Sequence, residues 1–219
     1  MILTDEFNIL LFKKCATHSI IGMCKRAKQN LGSLQYNLHT DNSHPPASQI
    51  PLSNRKLPTA AVCRNAWDWY VSRYLFYENA RINQIGAYHI SDDRRNSSHL
   101  LEWSANCAFG ESIDGFRKHL PYAVKKFSLG LEYFSFIQGA KNIQFIKFED
   151  LENELLNFIE SNCSEIYKEA YRKAIVGHPI ENATPNRMRA SSYYTEKEIQ
   201  IVMESESKYI KKFKQEFSL

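Results

Sequence analysis

Arg64-Asn65-Ala66-Trp67-Asp68-Trp69-Tyr70-Val71-Ser72 places a guanidinium, a helix-capping amide and a hydroxyl at one strand-to-helix junction. Thr59 to Cys63 reads as a buried strand. Trp67, Tyr70, Val71, Tyr74 and Leu75 recur at the spacing of a core-facing helix. Asn65 occupies the N-cap position, and Ser72 shares a helical face with Asn65 and Asp68. A cation, exposed backbone N–H groups and a hydroxyl at such a corner suit a phosphate-like anion. The other reading is a surface arginine ahead of an ordinary helix.

A second junction lies upstream. The apolar run Phe7 to Phe12 reads as a strand and is followed by Lys13-Lys14-Cys15-Ala16-Thr17-His18-Ser19. A helix then carries Ile20, Cys24, Ala27 and Leu31 on one face, with Gly32 as its stop. Strand, polar turn and helix with a lysine in the turn is the layout of a phosphate loop. It is not a Walker A motif, because no GxxxxGK[ST] occurs. An ordinary turn with a Thr or Ser cap is the alternative. In an open parallel sheet, ligands bind beyond the carboxyl ends of the strands. Lys14 with Thr17, His18 and Ser19 would hold one phosphate there, and Arg64 with Ser72 another. A nucleoside with two separated phosphates would span them.

The remaining elements form a frame for these corners. Leu34 to Leu38 suggests a further strand, and Thr40 to Pro58, with its four prolines, a loop with one helical turn. Ile90 to Ser98, with Asp92, Asp93, Arg94 and Arg95, reads as a mobile loop. Helices are expected over Ser112 to Leu120 and Ala123 to Tyr133, then a strand over Ile143 to Phe148. Asp150 is placed to cap a helix from Leu151 to Ile159, and Thr195 and Glu198 form a capping-box signature. The helix it opens puts Ile199, Val202, Met203, Ile210, Phe213 and Phe217 at helical spacing. Strands alternating with helices imply an α/β fold with a mainly parallel sheet of about four to five strands.

The 219 residues suffice for one domain with a proper core, spanning 1–219, and 43% hydrophobic content argues against disorder. A net charge of +4 permits anionic ligands without implying a nucleic-acid partner. The cysteines, Cys15, Cys24, Cys63, Cys107 and Cys163, are odd in number and contain no CxxC pair, which points to a reducing, cytoplasmic setting and not to a zinc site. Ile9 to Phe12 is too short for a signal peptide, and no stretch approaches the ~20 apolar residues of a membrane span.

Here the residues reach a likeness. The chain resembles the sulfotransferases that use 3′-phosphoadenosine 5′-phosphosulfate (PAPS), of the carbohydrate type. Lys13-Lys14-Cys15-Ala16-Thr17-His18-Ser19 is similar to that family's first loop, P-K-[ST]-G-[GT]-T-[SW]. Arg64 to Tyr74 is similar to R-[ND]-P-x-[DE]-R-x-x-S-x-Y. Phe145-Ile146-Lys147-Phe148-Glu149-Asp150-Leu151 resembles F-x-x-[FY]-E-[DN]-L, and Asn186 to Tyr194 with the helix toward Phe217 resembles the C-terminal segment. The likeness runs in order from about residue 7 to 217. Four positions depart from it: Ala16 replaces the loop glycine, His18 a threonine, Ala66 a proline and Trp69 an arginine.

The resemblance implies a three-layer α/β/α, P-loop-like fold and an enzyme moving a sulfuryl group from PAPS to a hydroxyl, most plausibly of a saccharide. It implies that the loop Lys14, Cys15, Ala16, Thr17, His18 and Ser19 binds the 5′-phosphate side. Lys14 would neutralise the leaving group, and Arg64 and Ser72 would hold the 3′-phosphate. Arg187 and Arg189 would close over the nucleotide; a solvated pair is the alternative. The base is His44 by position, with His39 and His18 as alternatives, and a histidine suits that task. Trp103 would face a sugar ring, and Arg81, Arg94, Arg95 and His99 the acceptor side. No metal is implied. A nucleotide-dependent kinase and a non-catalytic nucleotide- or glycan-binding relative are the competing readings.

Overall fold

Strand β1 (Ile2–Leu3) turns tightly into β2 (Asn8–Leu10) in a computed structural model that describes residues 1–31, 37–38, 44–82, 113–178 and 188–217. The turn is closed by Thr4, whose hydroxyl donates to the Phe7 carbonyl (2.9 Å) and accepts from the Phe7 N–H (2.9 Å). The chain divides into two compact units, Met1–Arg64 with Leu131–Ala183, and Asn65–Gly130 with Thr184–Leu219.

The first unit holds the sheet. With β3 (Asn37–Leu38), β4 (Thr59–Cys63) and β5 (Ile143–Lys147), the strand order is β3-β1-β2-β4-β5. β1 is antiparallel to both neighbours, whereas β2 pairs with β4 and β4 with β5 in parallel. So β2, β3, β4 and β5 run one way and only β1 opposes them. The expected mixed α/β architecture with a mainly parallel sheet is therefore present. All of Asn8–Leu10 and Thr59–Cys63 are buried, as continuous apolar parallel strands require. The one polar residue inside β2, Asn8, donates to the Asn54 carbonyl (3.0 Å) and the Thr59 hydroxyl (3.1 Å), while its Oδ1 is buried with no hydrogen-bond donor among the described residues.

Among the described residues, three helices complete this unit, along with residues 131–137 of a fourth. α1 (Thr17–Leu31) buries Ile20, Met23, Cys24 and Ala27 and packs on α6 (Glu165–Ile175), itself beside α5 (Leu151–Asn162). Phe7 sits at the centre, edge-on to Phe158, Tyr167 and Tyr171 with ring centroids 5.4–6.2 Å apart. Helix α6 was not foreseen, although Tyr167, Ala170, Tyr171 and Ala174 carry its period in the sequence. Asp150 stands at the N-cap of α5 as expected, but its carboxylate makes no bond to the helix backbone and accepts from the Asn153 side-chain amide at 2.7 Å. The segment 44–58 forms two short 3-10 turns, Ala47–Gln49 and Leu52–Asn54, rather than one.

The second unit is helical among the described residues. α2 (Ala66–Ile82) is buried on nearly every side over residues 66–75: Trp67, Tyr70, Val71, Tyr74 and Leu75 are inside as expected, and so are Trp69 and Arg73. The Arg73 guanidinium lies over the rings of Trp69 (4.9 Å) and Phe127 (4.4 Å). α3 (Ile113–Lys126) runs through Pro121, so the expected break there moves to Phe127–Ser128, ahead of α4 (Leu129–Ile137). α7 (Glu196–Ser205) has the expected box: the Glu198 carboxylate accepts from the Thr195 N–H (3.0 Å) and hydroxyl. The long terminal helix of the sequence reading is in fact two, because the chain breaks at Glu206 before α8 (Ser207–Phe213). Glu206 turns its carboxylate onto the Leu129 and Gly130 N–H groups, the start of α4 (3.0 and 2.7 Å). No helix among the described residues is long and apolar enough to cross a membrane.

Candidate anion-binding site

The register Leu10↔Ala61 puts the carboxyl ends of β2 and β4 side by side in the first unit. Beyond β2 the chain folds around the Phe12 carbonyl, which accepts from the Cys15 N–H (3.2 Å) and the Thr17 hydroxyl (3.2 Å). Lys14 and Ala16 both take left-handed backbone conformations, φ 64° and 56°. Left-handed residues alternating with other conformations turn successive N–H groups toward one side, the arrangement of a backbone anion nest. Glycine adopts such a φ without cost, and an L-residue gives up about 1–2 kcal/mol. The position where the resembled family has glycine is thus one where this backbone wants it. Ala16→Gly is therefore expected to raise stability by about 0.5–1 kcal/mol, the strain relieved less the extra freedom of an unfolded glycine. A shift in the urea midpoint toward lower concentration would contradict it.

The side chains of the loop divide by role. Lys13 is paired with Glu132 at 2.9 Å. The Thr17 hydroxyl is turned back to Phe12, and Cys15 and Ser19 are fully buried, whereas His18 is exposed. Of the loop residues expected to touch a phosphate, His18 is exposed and Lys14 and Ala16 are half-buried.

Arg64 follows β4 and is only 6% exposed. Its Nη1 donates to the Lys14 carbonyl at 2.7 Å, and its guanidinium carbon lies 4.0 Å from the centre of the Phe148 ring. Residues 14 and 64, fifty positions apart, thus meet at one corner of the sheet. Phe148, quoted in the sequence only as part of the motif Phe145 to Leu151, is the partner of Arg64 here. Cys63↔Lys147 is the last ladder pair of β4 and β5, so the next two residues, Arg64 and Phe148, fall side by side.

His44 reaches the same strand end. Its Nδ1 lies 2.7 Å from the Leu11 carbonyl. A carbonyl only accepts, so Nδ1 carries the proton and Nε2 the lone pair. Burial lowers its pKa to about 4; the Leu11 carbonyl opposes this, and the positive charges of Lys13, the amino terminus and His18 add to the lowering. At pH 7 the ring is neutral, as a proton acceptor must be.

In the second unit Ser72 is 7% exposed on α2. The Asn65 side chain caps that helix, accepting from the N–H groups of Trp67 (3.1 Å) and Asp68 (3.4 Å), as expected. The Ala66 N–H donates to Gln215 Oε1 at 2.9 Å. The N–H groups expected to be exposed at that helix start therefore have protein acceptors. Arg189 is exposed ahead of the turn Ala190–Tyr193, and Arg81 lies in the last turn of α2. Arg187, His39, Trp103, Arg94, Arg95, His99 and Cys107 lie outside the described residues. Among the described residues, Cys15, Cys24, Cys63 and Cys163 are free thiols, and no cluster of His, Cys, Asp and Glu could hold a metal.

Compared with known proteins, the chain matches no protein-family model, and no curated sequence is detectably similar to it.

Proposed function

We propose that this chain is a PAPS-dependent sulfotransferase acting on a hydroxyl, most plausibly of a saccharide, on a three-layer P-loop-like fold in a cytoplasmic setting. What supports the reading is the meeting of a left-handed lysine loop and a buried arginine at adjacent parallel strand ends. Their donor set fits a phosphorylated nucleotide: directed N–H groups, a compact ammonium and a planar guanidinium.

PAPS supplies a sulfuryl group whose bond to the 5′-phosphate oxygen breaks as the bond to the acceptor oxygen forms. In this reading Lys14 and the loop N–H groups neutralise charge as it grows on the leaving oxygens, which is where such loose displacements are accelerated. Arg64 holds the 3′-phosphate, and the sequence motif assigns Ser72 to the same group. His44 Nε2 takes the acceptor proton, with the Leu11 carbonyl holding the ring in the tautomer that can. Arg187 and Arg189 remain candidates for closing over the nucleotide.

Thermal denaturation tests the reading. Adenosine 3′,5′-bisphosphate at a hundredfold excess over Kd should stabilise by ~2.7 kcal/mol without Mg²⁺, and ATP with Mg²⁺ by less. The reverse ranking would instead make the chain a kinase. His44→Ala should keep the stabilisation and lose at least about a hundredfold in turnover, the usual contribution of a general base. Full activity of that variant would move the base to His18 or His39. A non-catalytic binding domain is the second reading, favoured by Ala16 at a glycine-like φ and by the occupied N–H groups at the start of α2. Stabilisation without sulfate transfer to any of a broad set of acceptors would select it.

A further inference from the structure

Lys14 and Ala16 are both left-handed with one residue between them, a conformation that L-residues hold only when their surroundings impose it. One contact that holds Lys14 is the Arg64 Nη1 bond to its carbonyl, 2.7 Å long. Guanidinium N–H groups point within one plane, so whatever fixes that plane fixes the direction in which Arg64 donates. Arg64 lies over the Phe148 ring at 4.0 Å, a face-on contact that favours a flat cation and would not orient an ammonium. The ladder brings the two residues together, since Arg64 and Phe148 each lie one step beyond the pair Cys63↔Lys147. A ring at one strand end thus touches a guanidinium at the second, and that guanidinium bonds a turn at the third.

We propose that Phe148 is a positioning residue: its ring orients Arg64, and through the Lys14 carbonyl Arg64 keeps the anion loop in its left-handed form. The conformational role stands by itself; its consequence for nucleotide affinity rests on the sulfotransferase reading. Cys15, between the two left-handed residues, has 0% exposure and serves as an internal reporter of loop closure.

The test is the rate of Cys15 alkylation by iodoacetamide, read on its own peptide by mass spectrometry so that Cys163 does not interfere, alongside titration with adenosine 3′,5′-bisphosphate. Phe148 is half-buried, so leucine can be accommodated there. Phe148→Leu should speed Cys15 alkylation about tenfold and weaken bisphosphate binding about tenfold, and Phe148→Tyr should restore both. Arg64→Lys, which keeps the charge and leaves the ring in place, should also release Cys15. A wild-type rate in Phe148→Leu and Arg64→Lys overturns the proposal, as does a Phe148→Tyr variant that behaves like leucine. If the wild-type chain binds no bisphosphate while the Cys15 pattern holds, the positioning role is upheld and the sulfotransferase reading fails.

Discussion

Arg64→Ala is expected to remove nearly all of the thermal stabilisation given by adenosine 3′,5′-bisphosphate. Truncating a buried, hydrogen-bonded charge at a binding site costs about 2–5 kcal/mol, or roughly thirtyfold to several thousandfold in Kd. With a hundredfold loss, a ligand concentration that stabilised the wild type by ~2.7 kcal/mol would stabilise the variant by only ~0.4 kcal/mol. Two effects combine in that loss. The phosphate loses a cation, and the Lys14 carbonyl loses the donor that holds the loop in shape. The free variant should itself unfold about 1–2 kcal/mol more easily, as expected for an orphaned partner in a largely buried place. A variant that keeps the full ligand-induced shift would place the nucleotide elsewhere and end the sulfotransferase reading.

The second large effect is one of stability. Glu206→Ala is expected to lower the unfolding free energy by about 3–5 kcal/mol, measured by urea denaturation. Glu206 is 1% exposed, and its carboxylate accepts from Tyr70 Oη (2.6 Å), Leu129 N (3.0 Å), Gly130 N (2.7 Å) and Ser128 Oγ (3.2 Å). It acts as a side-chain cap on the start of α4, supplied from the joint between α7 and α8, and the charge also suits the positive end of the helix. Burial, then the Glu206 charge, push the Tyr70 hydroxyl well above the usual phenol range, so it stays a donor at any working pH. Alanine leaves these donors buried without their shared acceptor. A loss below about 1 kcal/mol would mean that water or another acceptor takes the place of the carboxylate.

The corner at Arg64 and the cap at Glu206 show how much of this protein was legible in its residues. Short-range signals were sufficient for much of the fold. The apolar run Thr59–Cys63 became β4 with those bounds, Asn65 caps α2, and Thr195 with Glu198 opens α7. Each depends on residues within one turn or one pleat, where chain geometry leaves few choices. The lysine loop after β2 and the arginine after β4 were likewise visible as residue types at strand ends.

Other features required the assembled structure. β1 is two residues long, too short to show any period, and exists because Thr4 closes the turn that pairs it with β2. The terminal helix breaks at Glu206, whose carboxylate caps residues 129 and 130, partners more than seventy positions away. Gln215 satisfies the Ala66 N–H from 149 positions away, and Arg64 reaches Lys14 across 50. Composition and local spacing decided which groups stand at the strand tips. Which acceptor each donor finds was decided only by sheet order and register, because a hydrogen bond needs its partners within about 3 Å and nothing in the linear chain sets that distance.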